Sequence, residues 1–243
     1  MTQIQLPLNR DKNRGILCIF DKDGTLIDFD AMWTSWIFEL AERLDAAAGQ
    51  PVAPAVFAGI GFDPTTRFIK PEGPFAVLPL ADFYQLIVRI VREAGVSKAE
   101  QVVAMAWCTP DPVTSARPLC DLHALFGALA AQGIKLAIAT SDNRALTEAT
   151  LEALGIASFV SGLVCADDGL PIKPAPDMIL SLCRELGVAP AHTVMVGDAV
   201  ADVQMGRAAG AGLVVGVLSG VSDQPLLAPY ADVVLPSIAA LVS

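Results

Sequence analysis

The sequence predicts an α/β fold in which a parallel sheet carries helices on both faces, interrupted by a mostly helical insertion. Three observations lead there. Short apolar runs recur and end where polar or turn residues begin, helical patterns follow them, and one long interval holds helical patterns without such runs.

The first run is residues 15–20 (GILCIF), and an acidic turn follows it directly. Residues 30–114 then break the rhythm. Within them, 32–48 place Trp33, Trp36, Ile37, Leu40 and Leu44 at helical spacing, and 82–93 and 98–108 also read as helices. Proline and glycine cluster at 51–79 and 110–118, which predicts irregular connections and, at 28–30 and 110–118, hinges. The rhythm returns with apolar runs at 134–140 (IKLAIAT), 159–164 (FVSGLV), 193–197 (TVMVG), 212–217 (GLVVGV) and 232–235 (DVVL). Helices are expected at 143–154, 174–186 and 199–209, the last closed by Gly210. The expected division is therefore a discontinuous core, 1–29 with 115–243, and an inserted module, 30–114.

Composition narrows the function. At 243 residues, with 53% hydrophobic and 17% charged residues, the chain is too apolar for disorder and long enough for a sizeable core. Sixteen basic against 26 acidic residues give a net charge of −10, which argues against nucleic-acid binding. The uncharged stretch 208–222 is Gly-rich and too short to span a bilayer, so no membrane segment is expected. Residues 1–14 show no apolar block after their charges, so no secretory signal is expected and the cytoplasm is the default compartment. Cys18, Cys108, Cys120, Cys165 and Cys183 form no CxxC pair and read as reduced thiols. His123 falls in a helical pattern and His192 just before a strand, which disfavours a His-based triad. The composition accommodates either a monomer or a homodimer.

Chemistry gathers at the strand ends, where open α/β sheets bind ligands. After the first strand come Asp21, Lys22, Asp23, Gly24 and Thr25; acids two residues apart can divide into a nucleophile and a proton-transfer group. The second strand ends in Thr140 and Ser141, hydroxyls beside a helix N-terminus. After the third, Lys173 precedes Pro174, which is suited to a first helical position; a lysine at that positive helix end needs an anion nearby. The fourth ends in Gly197 and Asp198, with Asp202 four residues on. Carboxylates on the first and fourth strands would repel unless a hard cation lay between them, and Mg²⁺ favours oxygen ligands. Lys173, Thr140 and that cation could then surround a phosphoryl group.

These motifs, DKDGT at 21–25, Thr140, Lys173 and GDAVAD at 197–202, resemble the haloacid dehalogenase superfamily, with its Rossmann-like core. The insertion resembles the helical cap of the phosphoglycolate-phosphatase-like branch. The resemblance implies Asp21 as nucleophile forming an aspartyl-phosphate, and Asp23 as acid and then base. It implies Mg²⁺ held by Asp21, the Asp23 carbonyl and Asp198 with Asp202 in support, and Thr140, Ser141 and Lys173 on the phosphoryl group. Its substrate would be a small phosphorylated metabolite. An acid at position 23 separates this chain from the dehalogenases, which lack one there. A sugar-phosphate mutase and a non-catalytic metabolite-binding protein are the alternatives. In the insertion, Arg67 and Lys70 read as solvated rather than as leaving-group contacts, and Trp33 and Trp36 as core.

Overall fold

The computed structural model describes residues 15–241; the expectation about residues 1–14 lies outside the described residues. The chain divides into two compact units, Met1–Phe29 with Pro112–Ser243, and Asp30–Asp111.

Along the chain, β1 (Leu17–Phe20) is followed by the second unit: α1 (Ser35–Ala48), α2 (Ala53–Ile60), β2 (Phe62–Asp63), β3 (Phe68–Ile69), α3 (Pro74–Val77), α4 (Leu80–Glu93) and α5 (Ala99–Ala106). The first unit resumes with α6 (Pro112–Ser115), α7 (Leu122–Ala131), β4 (Lys135–Ala139), α8 (Arg144–Ala153), β5 (Val160–Val164) and α9 (Asp177–Leu186). It ends with β6 (Thr193–Gly197), α10 (Val200–Ala209), β7 (Leu213–Val217), α11 (Gln224–Leu227) and β8 (Val233–Leu235).

The six strands of the first unit form one parallel sheet in the order β5-β4-β1-β6-β7-β8. All four residues of β1 are buried, as a central strand covered on both faces requires. Leu17 and Ile19 point to one face, against Met178, Ile179 and Leu182 of α9 and Met205 of α10. On the other, Phe20 stacks on Phe126 of α7 with centroids 5.2 Å apart. Each such aliphatic side chain taken out of water contributes about 1.5–3 kcal/mol. The chain moves outward from β1 to β4 and β5, then returns to the other side of β1 with β6. The order therefore reverses at β1, which makes the carboxyl ends of β1 and β6 the switch point where open α/β sheets bind ligands.

The predicted α/β class and all six predicted strands are present. Two helix starts differ by three residues: α1 begins at Ser35 rather than 32, after a π-helical turn over Asp30–Thr34, and α9 begins at Asp177 rather than 174. Residues preceding proline are pushed out of the helical region, and Lys173 and Ala175 each precede one, so the helix starts only after Pro176. Lys173 thus sits in an irregular loop, not at a helix N-terminus, and the Lys173–Pro174 peptide is cis.

In the second unit, the side chains of α1 at helical spacing are buried, and Trp36 lies among Trp33, Phe75, Phe83 and Trp107 with centroids 5.3 to 6.4 Å away. The indole of Trp36 donates to the Cys108 carbonyl at 2.9 Å, so this tryptophan stripe is core. The interval 51–79 is more regular than its prolines predict. Pro54 falls in the first turn of α2, where its missing N–H costs nothing, and β2 and β3 pair in a two-residue hairpin too short to show periodicity. Arg67 is 60% exposed at the hairpin tip, 3.6 Å from the Asp30 carboxylate, and Lys70 is exposed, as solvated residues should be. No described helix is long and apolar enough to cross a membrane.

Candidate active site

The sheet register determines which groups meet. Phe20 lies level with Ile138 and Val196, so Asp21 lies level with Ala139 and Gly197, one residue short of Thr140 and Asp198. Asp21 still belongs to the ladder through its backbone, its N–H donating to the Val196 carbonyl at 2.9 Å. The chain then turns sharply, with the N–H of Gly24 on the Ile27 carbonyl at 2.7 Å. Gly24 has φ +78°, and a Cβ there would approach Asp198 Oδ2 to 2.5 Å, so only glycine fits.

Three buried carboxylates converge at this edge: Asp21, Asp198 and Asp202 each place an oxygen within 4.8 Å of the others. The Lys173 ammonium lies 2.5 Å from Asp21 Oδ1 and 2.6 Å from Asp202 Oδ1, with its side chain 5% exposed. Asp198 is held from two sides, Oδ1 accepting from the Thr25 hydroxyl at 3.1 Å and Oδ2 from the Val221 N–H at 2.9 Å. The Ser219 hydroxyl donates to the Gly24 carbonyl at 2.8 Å, tying the loop after β7 to the first turn. Asp202 Oδ2 accepts from the Ala199 N–H at 3.0 Å at the start of α10.

Burial, reinforced by Asp202 and Asp23 and opposed by Lys173, pushes the Asp21 carboxyl up to about 7. Burial and then the neighbouring Asp21 and Asp202 push Asp198 well above the usual carboxylate range. Lys173 is held charged, because its two carboxylates outweigh the desolvation that would neutralise it. Three acids against one lysine leave two excess negative charges if all are ionised, and a divalent cation would neutralise them. The donor set is all oxygen, as Mg²⁺ or Ca²⁺ requires, so these residues fit a hard divalent ion.

A second group, not singled out in the sequence, adjoins the first. The Lys22 ammonium, with no exposed side-chain surface, lies 2.7 and 2.8 Å from the two oxygens of Asp23 and 2.9 Å from Asp142 Oδ2. Burial, then the repulsion of Asp23, raises Asp142 to about 6 against the pull of Lys22. In the sequence Lys22 carries no signal beyond its place in the acidic turn, and Asp142 falls in the polar segment that caps the helix expected at 143–154. The cap is in fact Asn143, whose side chain accepts from the Leu146 N–H at 2.8 Å. Thr140 is buried at the end of β4, its hydroxyl accepting from the Asp142 N–H at 3.2 Å, and Ser141 follows half-buried at the same edge. His123 packs edge-on against Phe159, and the five cysteines form no disulfide; burial pushes the Cys165 thiol up to about 11.

Asp21 at about 7 and Asp142 at about 6 lie above the ordinary aspartate value near 3.9, so the folded chain binds more protons than the unfolded one between those limits. Their contribution to stability therefore declines as pH rises from about 4 to about 7. Without divalent cations the melting temperature should fall across that window, and a divalent cation should stabilise more at about pH 8 than at about pH 5. Stabilisation equal at both pH values, by differential scanning fluorimetry, would place the ion elsewhere.

A family profile described as haloacid dehalogenase-like hydrolase matches residues 17–210. The chain belongs to the haloacid dehalogenase-like hydrolase family. Its match to the phosphoglycolate phosphatase of Rhodospirillum rubrum is 36% identical over 56% of each chain. That to the phosphoglycolate phosphatase of Agrobacterium fabrum is 28% identical over 93% of this chain and 90% of the relative. The solved structure of a phosphatase of the family from Thermococcus onnurineus superposes with TM-score 0.66, 19% identity, and coverage of 93% and 95%. The family and these relatives place the chain among the phosphatases of this hydrolase family.

Of the residues expected to act in this hydrolase, Asp21, Lys173, Asp198 and Asp202 are in one contact network. Asp23 is anchored beside it by Lys22, and Thr140 and Ser141 stand on the adjoining strand end.

Proposed function

We propose that the chain is a Mg²⁺-dependent phosphatase that hydrolyses a small phosphomonoester, phosphoglycolate-like or a sugar phosphate, through an aspartyl-phosphate on Asp21. The observation that carries this reading is a buried Asp21 at the end of the central strand, in contact with Lys173 and within 4.8 Å of Asp198 and Asp202. An Asp21 oxygen attacks phosphorus, and the ester P–O bond breaks as the Asp21–phosphorus bond forms. Asp23 gives a proton to the departing oxygen and then takes one from the water that attacks the aspartyl-phosphate, releasing phosphate and restoring the Asp21 carboxylate. Lys173 offsets charge on the phosphoryl oxygens, with Thr140 and Ser141 donating hydrogen bonds to them. Asp21, the Asp23 carbonyl and Asp198, with Asp202 in support, would hold Mg²⁺, which would supply charge neutralisation at the phosphoryl group. The inserted unit is assigned the choice of ester.

Two relatives named phosphoglycolate phosphatase support the small-acid end of the substrate range. The test is phosphate release from a panel of phosphorylated metabolites with and without Mg²⁺. The expected result is Mg²⁺-dependent release of inorganic phosphate, fastest for small acid or sugar phosphates. Isomerised sugar phosphate without phosphate release would mean a mutase, and inertness across the panel a binding protein.

A further inference from the structure

The buried Lys22 is costly and needs an explanation. A lysine stem ordinarily carries its ammonium to water, yet this side chain has no exposed surface. Taking an ammonium out of water is costly, and a whole buried ion cluster replaced by apolar residues of similar volume is often equally or more stable. What distinguishes lysine here is what its charge grips. Both oxygens of Asp23 lie on the one ammonium, at 2.7 and 2.8 Å, which fixes the side-chain torsions of Asp23. The Asp23 side chain keeps 13% of its surface exposed, so it is anchored from within without being sealed from solvent.

Asp142 supplies the third contact on the ammonium, at 2.9 Å, and is itself rigidly placed. Its N–H donates to the Thr140 hydroxyl at 3.2 Å and its carbonyl accepts from the Ala166 N–H at 2.9 Å. The Lys22 carbonyl accepts from the Leu26 N–H at 2.8 Å and the Ile27 N–H at 3.2 Å, which closes the turn under the same side chain. Asp23 is thus tethered to the ends of two strands, β1 and β4.

We propose that Lys22, braced by Asp142, is a positioning residue that holds the Asp23 carboxylate in the orientation from which it exchanges a proton with the leaving oxygen. This rests on the acid–base reading of Asp23 given above. It predicts an effect that depends on the leaving group. An alkoxide needs a proton as it departs; p-nitrophenolate scarcely does. In the full-length protein with Mg²⁺, Lys22→Met should lower kcat/KM for an alkyl phosphate by about 100-fold and for p-nitrophenyl phosphate by less than about 10-fold.

The double variant Lys22→Met/Asp142→Asn removes the ammonium together with one of its two acids, so that Asp23, 13% exposed, is the one charge of the cluster that loses its counterion. It should melt above the single variant, which takes the counterion from two acids, yet retain the alkyl-ester defect, and it carries the test if the single variant does not fold. Equal losses on both esters, or recovery of wild-type kcat/KM for the alkyl ester in the double variant, would overturn the proposal and leave Lys22 as a stabilising ion pair. Full activity of Asp21→Asn would sink the phosphatase reading itself. An inactive Asp21→Asn with no leaving-group selectivity in Lys22→Met would sink this inference alone.

Discussion

Asp21→Asn should reduce phosphate release by about 10⁴-fold or more while leaving the fold intact. The amide is nearly the same size as the carboxylate, but its oxygen is too weak a nucleophile to displace an alkoxide from phosphorus. Stability is expected to move the other way. The Asp21 carboxyl sits at about 7 because its ionised form is buried beside other acids, so at neutral pH that charge opposes folding in the metal-free protein. Removing it should leave the melting temperature unchanged or raised, and Lys173 keeps Asp202 as a partner. Lost turnover with undiminished stability is a combination that a folding defect cannot produce. Phosphate release and thermal melting on the same preparation check it, and residual turnover within tenfold of the wild type would remove Asp21 from the nucleophile's role.

Lys173→Met should do damage on both counts. Without its charge the phosphoryl oxygens lose a stabilising cation, which lowers kcat/KM by about 10²–10³-fold, the scale of one lost electrostatic contact in a transition state. The side chain is also 5% exposed between two carboxylates, and deleting one member of a buried ion pair costs about 3–5 kcal/mol. Proton uptake by Asp21 caps that cost, so a loss of about 3 kcal/mol, roughly 10 °C in melting temperature, is expected in the absence of metal. Mg²⁺ should recover part of the stability and little of the activity. Unchanged melting together with unchanged kinetics would return Lys173 to the role of a solvated surface residue.

Much of this site was legible because parallel sheets speak plainly in sequence. Apolar runs such as TVMVG end abruptly, and the register of parallel neighbours then brings Asp21, level with Gly197, to within one residue of Asp198, although 177 residues separate the two acids. Lys173 was legible in its need for an anion but not in its placement, because alternating prolines delay α9 to Asp177. Lys22 and Asp142 were not legible. Each looks polar and local in one dimension, and only the approach of the loops after β1 and β4 buries them against each other. The hairpin of β2 and β3 escaped for a simpler reason: four residues cannot display a period of two.

The central claim is that acids from the ends of β1 and β6 share one divalent ion, and Mg²⁺ binding measured by calorimetry near neutral pH addresses it without reference to any substrate. The wild-type protein should bind Mg²⁺ saturably, and Asp198→Asn should lose that binding while remaining folded. Undiminished binding in the folded Asp198→Asn protein, or no saturable binding in the wild type, would contradict the account.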